Sequence, residues 1–189
     1  MTSRCETQGE TDKVRRRALS ILRVRTRPGH RTRGLLMAAG FTIPAVLGRS
    51  GVVANKREGD GATPRGRFRL LRLWWRADRA PRPRTLLPVR RIDPAIAWCE
   101  DPDDRRYNRP FRRSAKEAGD RLWRDDHLYD FIIELDHNTY PRVAGRGSAV
   151  FLHVARPNRA PTAGCVALAT AALVRLIARL GPRTRIEIH

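Results

Sequence analysis

The amino-acid sequence predicts a mainly β fold built as a single domain. Its apolar residues occur in short runs, several of which alternate with polar residues, and Gly or Pro separates most of these runs. Alternation with a period of two is typical of β-strands, whereas only two short segments carry helix signals. A chain of 189 residues is long enough for one domain with a hydrophobic core.

Strands are predicted along most of the chain. Residues 20–27 alternate apolar side chains with arginines, which is typical of a strand at the edge of a sheet. Residues 41–54 predict two strands joined by a turn, because Gly48 and Gly51 interrupt their apolar residues. Further strands are predicted over residues 68–75, 128–135, 147–154 and 184–188.

Residues 56–66 are a dense turn segment that leads into one of these strands. Gly59, Gly61 and Gly66, together with a Thr-Pro pair, account for the segment as turn chemistry. We therefore favour a tight loop, in which Lys56 pairs with Glu58 or Asp60 at the surface, over a direct role in substrate binding.

Two short helices are predicted in the second half of the chain. Ser114 and Glu117 have the spacing of a capping box, which predicts a helix over about residues 115–123. Thr170 resembles the N-cap of a second helix, which should run through Leu180 and end at the Gly-Pro pair that follows.

The composition is strongly basic, with a net charge of +20. Only Lys13, Lys56 and Lys116 are lysines, so arginine carries nearly all of the positive charge, and it is spread along the chain. A general bias toward arginine explains this spread, so we do not expect nucleic acid as the main partner. An Arg-rich polyanion-binding protein stays an alternative that predicts salt-dependent binding, and electrostatic contact with an anionic envelope is compatible with the charge.

The three cysteines are Cys5, Cys99 and Cys165, and none of them belongs to a CxxC motif or to a spaced Cys/His set. We therefore expect neither a metal site nor a disulfide framework, and no cofactor. An odd, small number of cysteines is compatible with one reactive thiol.

Cys165 and His153 offer a thiol nucleophile and an imidazole base in one short segment, 12 positions apart (165 − 153 = 12). A cysteine needs a nearby base to act as a thiolate at neutral pH. Gly164 allows a tight turn that can point backbone N–H groups at a developing oxyanion. Because Cys is also a common small core residue, spacing alone leaves the catalytic and structural interpretations both open.

The motif around this pair resembles a known family. His153 followed by Thr162-Ala163-Gly164-Cys165 is similar to the His … [Ser/Thr]-His-Gly-Cys signature of the L,D-transpeptidase catalytic domain (YkuD-type), with Ala163 in place of the second His. The stretch from Gly59 to Phe68 resembles the Thr-Pro-x-Gly-x-Phe element of the same domain. These strings, in this order, identify a divergent branch of the family over about residues 20–188.

The polar, Arg-rich composition at the start of the chain predicts a basic, flexible segment 1–19. The resemblance implies that residues 20–189 after it form the catalytic domain, a β-sandwich of mixed sheets. It also implies acyl transfer on peptidoglycan stem peptides. The cysteine attacks the carbonyl between an L-centre and a D-amino acid and releases the terminal D-residue. An amine of a second stem peptide then resolves the thioester into a cross-link, or water resolves it in an L,D-carboxypeptidase reaction.

Carried onto this sequence, the resemblance makes Cys165 the nucleophile, His153 the general base and acid, and the backbone at Gly164 part of the oxyanion hole. Thr162 should shape the loop and contact substrate. Because Ala167 replaces an arginine that the family commonly has, we expect Arg156, or else Arg159, to bind the substrate carboxylate. Trp98, Tyr107 and Asn108 are expected to line the cleft, although core packing and a turn explain them equally well.

The substrate implies a location in the periplasm or cell envelope. No convincing signal peptide is visible, because Gly40, Thr42 and Pro44 interrupt the apolar run that begins at Gly34, and we interpret this run as the start of a sheet. No apolar stretch approaches the roughly 20 residues that span a bilayer, so no transmembrane segment is predicted.

Overall fold

The computed structural model describes residues 18–114 and 116–189. These residues contain fourteen strands and one helix, so the prediction of a mainly β, single-domain fold is confirmed, with one helix where about two were expected. The elements are β1 (Ile21–Arg27), β2 (His30–Ala38), β3 (Phe41–Val46), β4 (Val52–Val53), β5 (Thr63–Pro64), β6 (Gly66–Trp75), β7 (Val89–Arg91), β8 (Ile96–Trp98), β9 (Pro110–Arg112), β10 (Asp120–Arg121), β11 (Phe131–Leu135), β12 (Phe151–Val154), β13 (Val166–Leu168), α1 (Thr170–Ile177) and β14 (Arg185–Ile188).

Nine strands form one mixed sheet in the order β11-β12-β13-β3-β2-β1-β14-β6-β7. The ten-residue strand β6 pairs with β14 through its first half and with β11 through its second half, so the sheet closes on itself. The pairs β1–β14, β12–β13 and β6–β7 are parallel, and the other pairs in this sheet are antiparallel. The predicted mixture of strand directions is therefore present.

Strand β1 lies between β2 and β14, so its predicted place at a sheet edge is wrong. Leu22 and Val24 are fully buried in the core, whereas Arg23, Arg25 and Arg27 are exposed on the other face. The alternation therefore arises because one face of this central strand is exposed to solvent, and not because the strand lies at an edge. Burying each of these aliphatic side chains contributes about 2 kcal/mol to stability.

The helix predicted over residues 115–123 is wrong for the described residues 116–123. One of the two capping-box bonds forms, because the Glu117 carboxylate accepts the N–H of Ser114 at 2.7 Å, while the Glu117 N–H donates to the Ser114 backbone carbonyl at 3.3 Å. They close a single turn, since Gly119 then adopts a φ of 134° and Asp120–Arg121 pair with β8 as β10. A local capping contact thus forms without a helix following it.

Helix α1 begins one residue earlier than predicted, because its N-cap is Ala169 and Thr170, the predicted cap, is its first residue. Leu173, Leu176 and Ile177 are buried at the i, i+3 and i+4 spacing that packs one face onto the core. The helix ends at Ile177, before the predicted Leu180. In the described part of the chain, no helix is both long and apolar enough to cross a membrane.

The start of the chain falls largely outside this description. Of the predicted segment 1–19 only residues 18 and 19 are described, and Leu19 packs into the core with its N–H donated to the Arg179 carbonyl at 2.8 Å. The boundary at residue 20 stays a prediction.

Candidate active site

The strand predicted over residues 147–154 is shorter than expected, and this shapes the candidate site. Gly147 and Ala149 adopt positive φ values of 93° and 51°, which break the extended chain, so β12 begins only at Phe151. β12 and β13 run parallel with Leu152 opposite Val166. The residue before β13, Cys165, therefore lies level with Phe151 and close to the segment that precedes β12.

A cavity of about 300 Å³ opens at this place. It brings together five of the residues predicted from the sequence, namely Cys165, His153, Gly164, Thr162 and Arg156. Polar residues that were not predicted for the site line it as well: Arg49, Lys56, Glu58, Glu100, Asp120, Arg124, Tyr129 and Ser148.

The thiol of Cys165 is almost enclosed, with the residue only 8% exposed. Its sulfur donates to the carbonyl of Ala149 at 3.2 Å and accepts the N–H of Phe151 at 3.4 Å. Loss of hydration raises the pKa of Cys165 to about 12, although the Phe151 N–H acts in the opposite direction. The Cys165 thiol is therefore neutral at pH 7.

The imidazole of His153 is buried too, at 6% exposure. Its Nδ1 lies 2.8 Å from the carbonyl oxygen of Val154, which can only accept, so Nδ1 carries the proton of the neutral ring and Nε2 keeps its lone pair. Burial lowers the pKa of His153 to about 4. The ring of Tyr129 stands edge-on to it, with centroids 5.4 Å apart. The cavity is thus lined by a neutral thiol and a neutral imidazole.

The loop before Cys165 is held by side-chain bonds. Thr162 Oγ1 accepts the N–H of Gly164 at 3.1 Å and donates to the Cys165 carbonyl at 2.7 Å. Gly164 has a φ of 146°, and a Cβ at this position would lie 2.8 Å from the Ala62 carbonyl oxygen, so only glycine fits. Thr63, from the turn segment that received no site role, also donates to the Cys165 carbonyl, at 3.4 Å.

Trp98, Tyr107 and Asn108 do not line the cavity, and their expected contact with substrate stays a prediction. Trp98 packs edge-on against Phe151 with centroids 5.0 Å apart, in the same apolar cluster as Cys165. The Tyr107 hydroxyl donates to Glu58, and burial raises the pKa of Tyr107 above its usual value. Tyr107 thus contacts a residue of the cavity lining, whereas Trp98 packs in the apolar cluster next to it.

Asn108 connects this supporting layer to the thiol. Its side-chain oxygen accepts the indole N–H of Trp98 at 3.0 Å and the backbone N–H of Ala149 at 3.2 Å. Its side-chain nitrogen donates to the carbonyls of His137 and Asn138 at 3.0 and 2.9 Å. The amide is thus fully hydrogen-bonded, and it holds the residue whose carbonyl accepts the thiol proton.

Lys56 is the main departure from the turn interpretation. It pairs with Asp60, as one alternative predicted, but not at the surface, because its side chain is only 5% exposed. The stem reaches inward past two glycines: a Cβ at Gly147 would lie 2.8 Å from Lys56 Cγ, and one at Gly164 would lie 3.6 Å from Cε. The sequence around Lys56 does not predict this burial, because both glycines are distant from Lys56 in the sequence.

The lining of the cavity also includes carboxylates. The Tyr129 hydroxyl donates to Asp120 at 2.7 Å, and burial raises the pKa of Asp120. Glu100 keeps part of its side chain in solvent, yet loss of hydration, with the nearby charges of Asp120 and Glu58, raises its pKa to about 7. Arg124 lies 3.7 Å from Asp120. The cavity is therefore polar with both signs of charge.

Comparisons with known proteins agree with the motif. Within the described ranges, no group of three or more His, Cys, Asp or Glu side chains could hold a metal ion. No curated protein and no solved structure matches the chain significantly. Residues 33–188, which include the motif from His153 to Cys165, match the family model of YkuD, the L,D-transpeptidase catalytic domain. Because this match covers most of the chain, the protein belongs to the L,D-transpeptidase catalytic domain family.

Proposed function

We propose that the protein is a peptidoglycan L,D-transpeptidase that cross-links stem peptides through a thioester on Cys165. The observation that carries this proposal is that the only two motif residues able to act as nucleophile and base, Cys165 and His153, line one cavity. The cell envelope, and more narrowly the periplasm, is the location that this substrate requires.

In the first half-reaction the Cys165 sulfur attacks the carbonyl between an L-centre and the terminal D-residue. Because the thiol pKa is about 12 and the imidazole pKa about 4, a thiolate–imidazolium pair is unfavourable in the free protein. The proton therefore passes to Nε2 of His153 as the C–S bond forms. The imidazolium then returns this proton to the leaving amine, and the free D-amino acid departs.

The second half-reaction regenerates the thiol. A side-chain amine of a second stem peptide attacks the thioester, His153 takes up its proton, and the sulfur leaves with that proton as the new amide forms. Water in place of the amine gives a shortened monomer, which is the carboxypeptidase alternative.

Backbone donors near the thiol would stabilise the oxyanion of each step. The N–H of Gly164 is bound to Thr162 Oγ1, so Gly164 would need to release this bond, or the N–H of Cys165 would act instead. Arg156 lines the cavity and is our candidate for binding a substrate carboxylate, because Ala167 offers no charge.

The test is mass spectrometry of stem-tetrapeptide muropeptides incubated with the wild type, Cys165→Ala and Cys99→Ala. Dimers from the wild type and Cys99→Ala, and none from Cys165→Ala, would support transpeptidation through this thiol. Shortened monomers without dimers would indicate a carboxypeptidase, and dimers from Cys165→Ala would contradict the proposal.

A further inference from the structure

A second cavity of about 320 Å³ adjoins the catalytic cavity. The two share Arg156 and Ala167 among their lining residues, so they lie next to each other. We call this second cavity the side pocket. Its size is at the lower end of the range for small-molecule binding pockets, about 300–1,000 Å³.

Four arginines line the side pocket: Arg27, Arg33, Arg156 and Arg159. None of the four guanidinium groups lies within 4 Å of a carboxylate of the described residues. The charge of Arg156 lowers the pKa of Asp126 from a longer distance. No Asp or Glu lines the side pocket. Some arginines elsewhere on the sheet are matched, as where Arg23 and Arg67 share Glu187, whereas Arg25 and Arg91 have no carboxylate of the described residues within 4 Å. The side pocket therefore gathers positive charge that the protein itself leaves unbalanced.

The elements around the side pocket hold this charge in place. An Arg33 guanidinium N–H donates to the Arg159 carbonyl, which fixes the loop that carries Arg156 and Arg159. The start of α1 also lines the side pocket, and its first turn contains no acidic residue and no side-chain cap. The helix dipole adds a smaller positive contribution there.

The rest of the lining is small and apolar, with Ile43, Pro44 and Val46 from β3 and Ala169 next to α1. An apolar floor under guanidinium groups fits an oxyanion carried on an aliphatic arm, because Arg presents paired N–H donors that match a carboxylate.

We propose that the side pocket binds a carboxylate of the donor stem peptide while the carbonyl to be attacked lies at Cys165. This proposal rests on the proposed function and deepens it, since it makes the enzyme selective for the charge state of its donor. Guanidinium groups also bind phosphate, and the experiment separates the two anions.

The experiment compares kcat/KM for a stem tetrapeptide with free internal carboxylates and for the same peptide with those carboxylates amidated. We expect the wild type to prefer the free peptide by roughly tenfold or more, which is the scale of a charge-assisted hydrogen-bond pair. Arg27→Gln/Arg159→Gln should lose most of this preference. The matched control Arg25→Gln/Arg91→Gln removes the same charge from exposed residues outside both cavities and should keep it. An unchanged preference in the first double variant overturns the proposal.

Binding to Cys165→Ala, measured by calorimetry with the same two peptides, separates this proposal from the proposed function. Tighter binding of the free peptide that requires Arg27 and Arg159 supports the side pocket whether or not the wild type forms dimers. Equal binding of both peptides overturns it even if dimers form. Inorganic phosphate that binds more tightly than the free peptide, through the same two arginines, would assign the side pocket to phosphate and overturn the carboxylate assignment.

Discussion

Asn108 accepts the backbone N–H of Ala149 on its side-chain oxygen at 3.2 Å, and the Ala149 carbonyl in turn accepts the Cys165 thiol proton at 3.2 Å. Ala149 has a φ of 51°, a left-handed conformation that costs an alanine about 1–2 kcal/mol. The buried amide of Asn108 thus holds a strained residue in the position where its carbonyl accepts the Cys165 thiol proton.

Replacing Asn108 by Ala should reduce both stability and activity. The change leaves the N–H groups of Trp98 and Ala149 without their acceptor, so we expect a loss of about 3 kcal/mol in the free energy of unfolding. The value of kcat/KM should fall roughly tenfold or more. A misplaced thiol that raises the activation free energy by about 1.4 kcal/mol is enough for a tenfold loss. Trp98→Phe removes one donor and keeps the Ala149 bond, so its activity should fall less. Equal activity losses in the two variants would contradict a role of Asn108 through Ala149.

The rate at which Cys165 is alkylated in the free protein should depend on pH as expected for a thiol of high pKa. Burial places the thiol pKa at about 12, so alkylation of Cys165 by iodoacetamide should be slow at pH 7 and keep rising up to pH 10 without a plateau. Peptide mapping distinguishes Cys165 from the other cysteines. A plateau below pH 8 would show a thiolate–imidazolium pair in the free protein and would contradict the proton transfer during attack.

Stability should fall in acid through His153. Its pKa is about 4 in the folded protein and about 6.5 when unfolded, so between these values the unfolded chain binds more protons. Lowering the pH from 6.5 toward 4 therefore removes up to about 3 kcal/mol of stability. The glutamine in His153→Gln does not titrate. The unfolding free energy of the wild type minus that of this variant should therefore decrease by up to about 3 kcal/mol as the pH falls from 6.5 to 4. A constant difference in denaturant titrations would contradict the assignment.

Gly164→Ala should disable the enzyme. The new Cβ would lie 2.8 Å from the Ala62 carbonyl oxygen at a φ of 146°, so the loop that carries Cys165 must move. Gly145→Ala is the matched control, because Gly145 also has a positive φ, 72°, but no atom within 4 Å of the added carbon. The control should lose only about 1 kcal/mol and keep its activity. Full turnover by Gly164→Ala would contradict the tight packing of the loop.

Alternating side chains predict strands here because their period is a local property. The alternation of Leu22 and Val24 with arginines predicts the position of β1 in the sequence but not which strands pair with it. A central strand with one solvent-exposed face and an edge strand give the same pattern. The Ser114–Glu117 capping box is likewise local, and the pairing of Asp120 with β8 overrides the helix that it favours.

The motif from His153 to Cys165 could be found in the sequence because its residues lie in one short segment. The burial of Lys56 could not, since it depends on Gly147 and Gly164, which come about a hundred positions later. The roles of Asn108 and Thr63 were hidden in the same way, because each acts by a hydrogen bond to a residue that only the closed sheet brings near.

The most direct test of the central claim is the intact mass of the protein after brief mixing with a stem tetrapeptide. We predict an adduct equal to the peptide minus its terminal D-residue, located on Cys165, present in Cys99→Ala and absent in Cys165→Ala. Dimer or shortened-monomer formation without such an adduct, or an adduct on another residue, would contradict acyl transfer through Cys165.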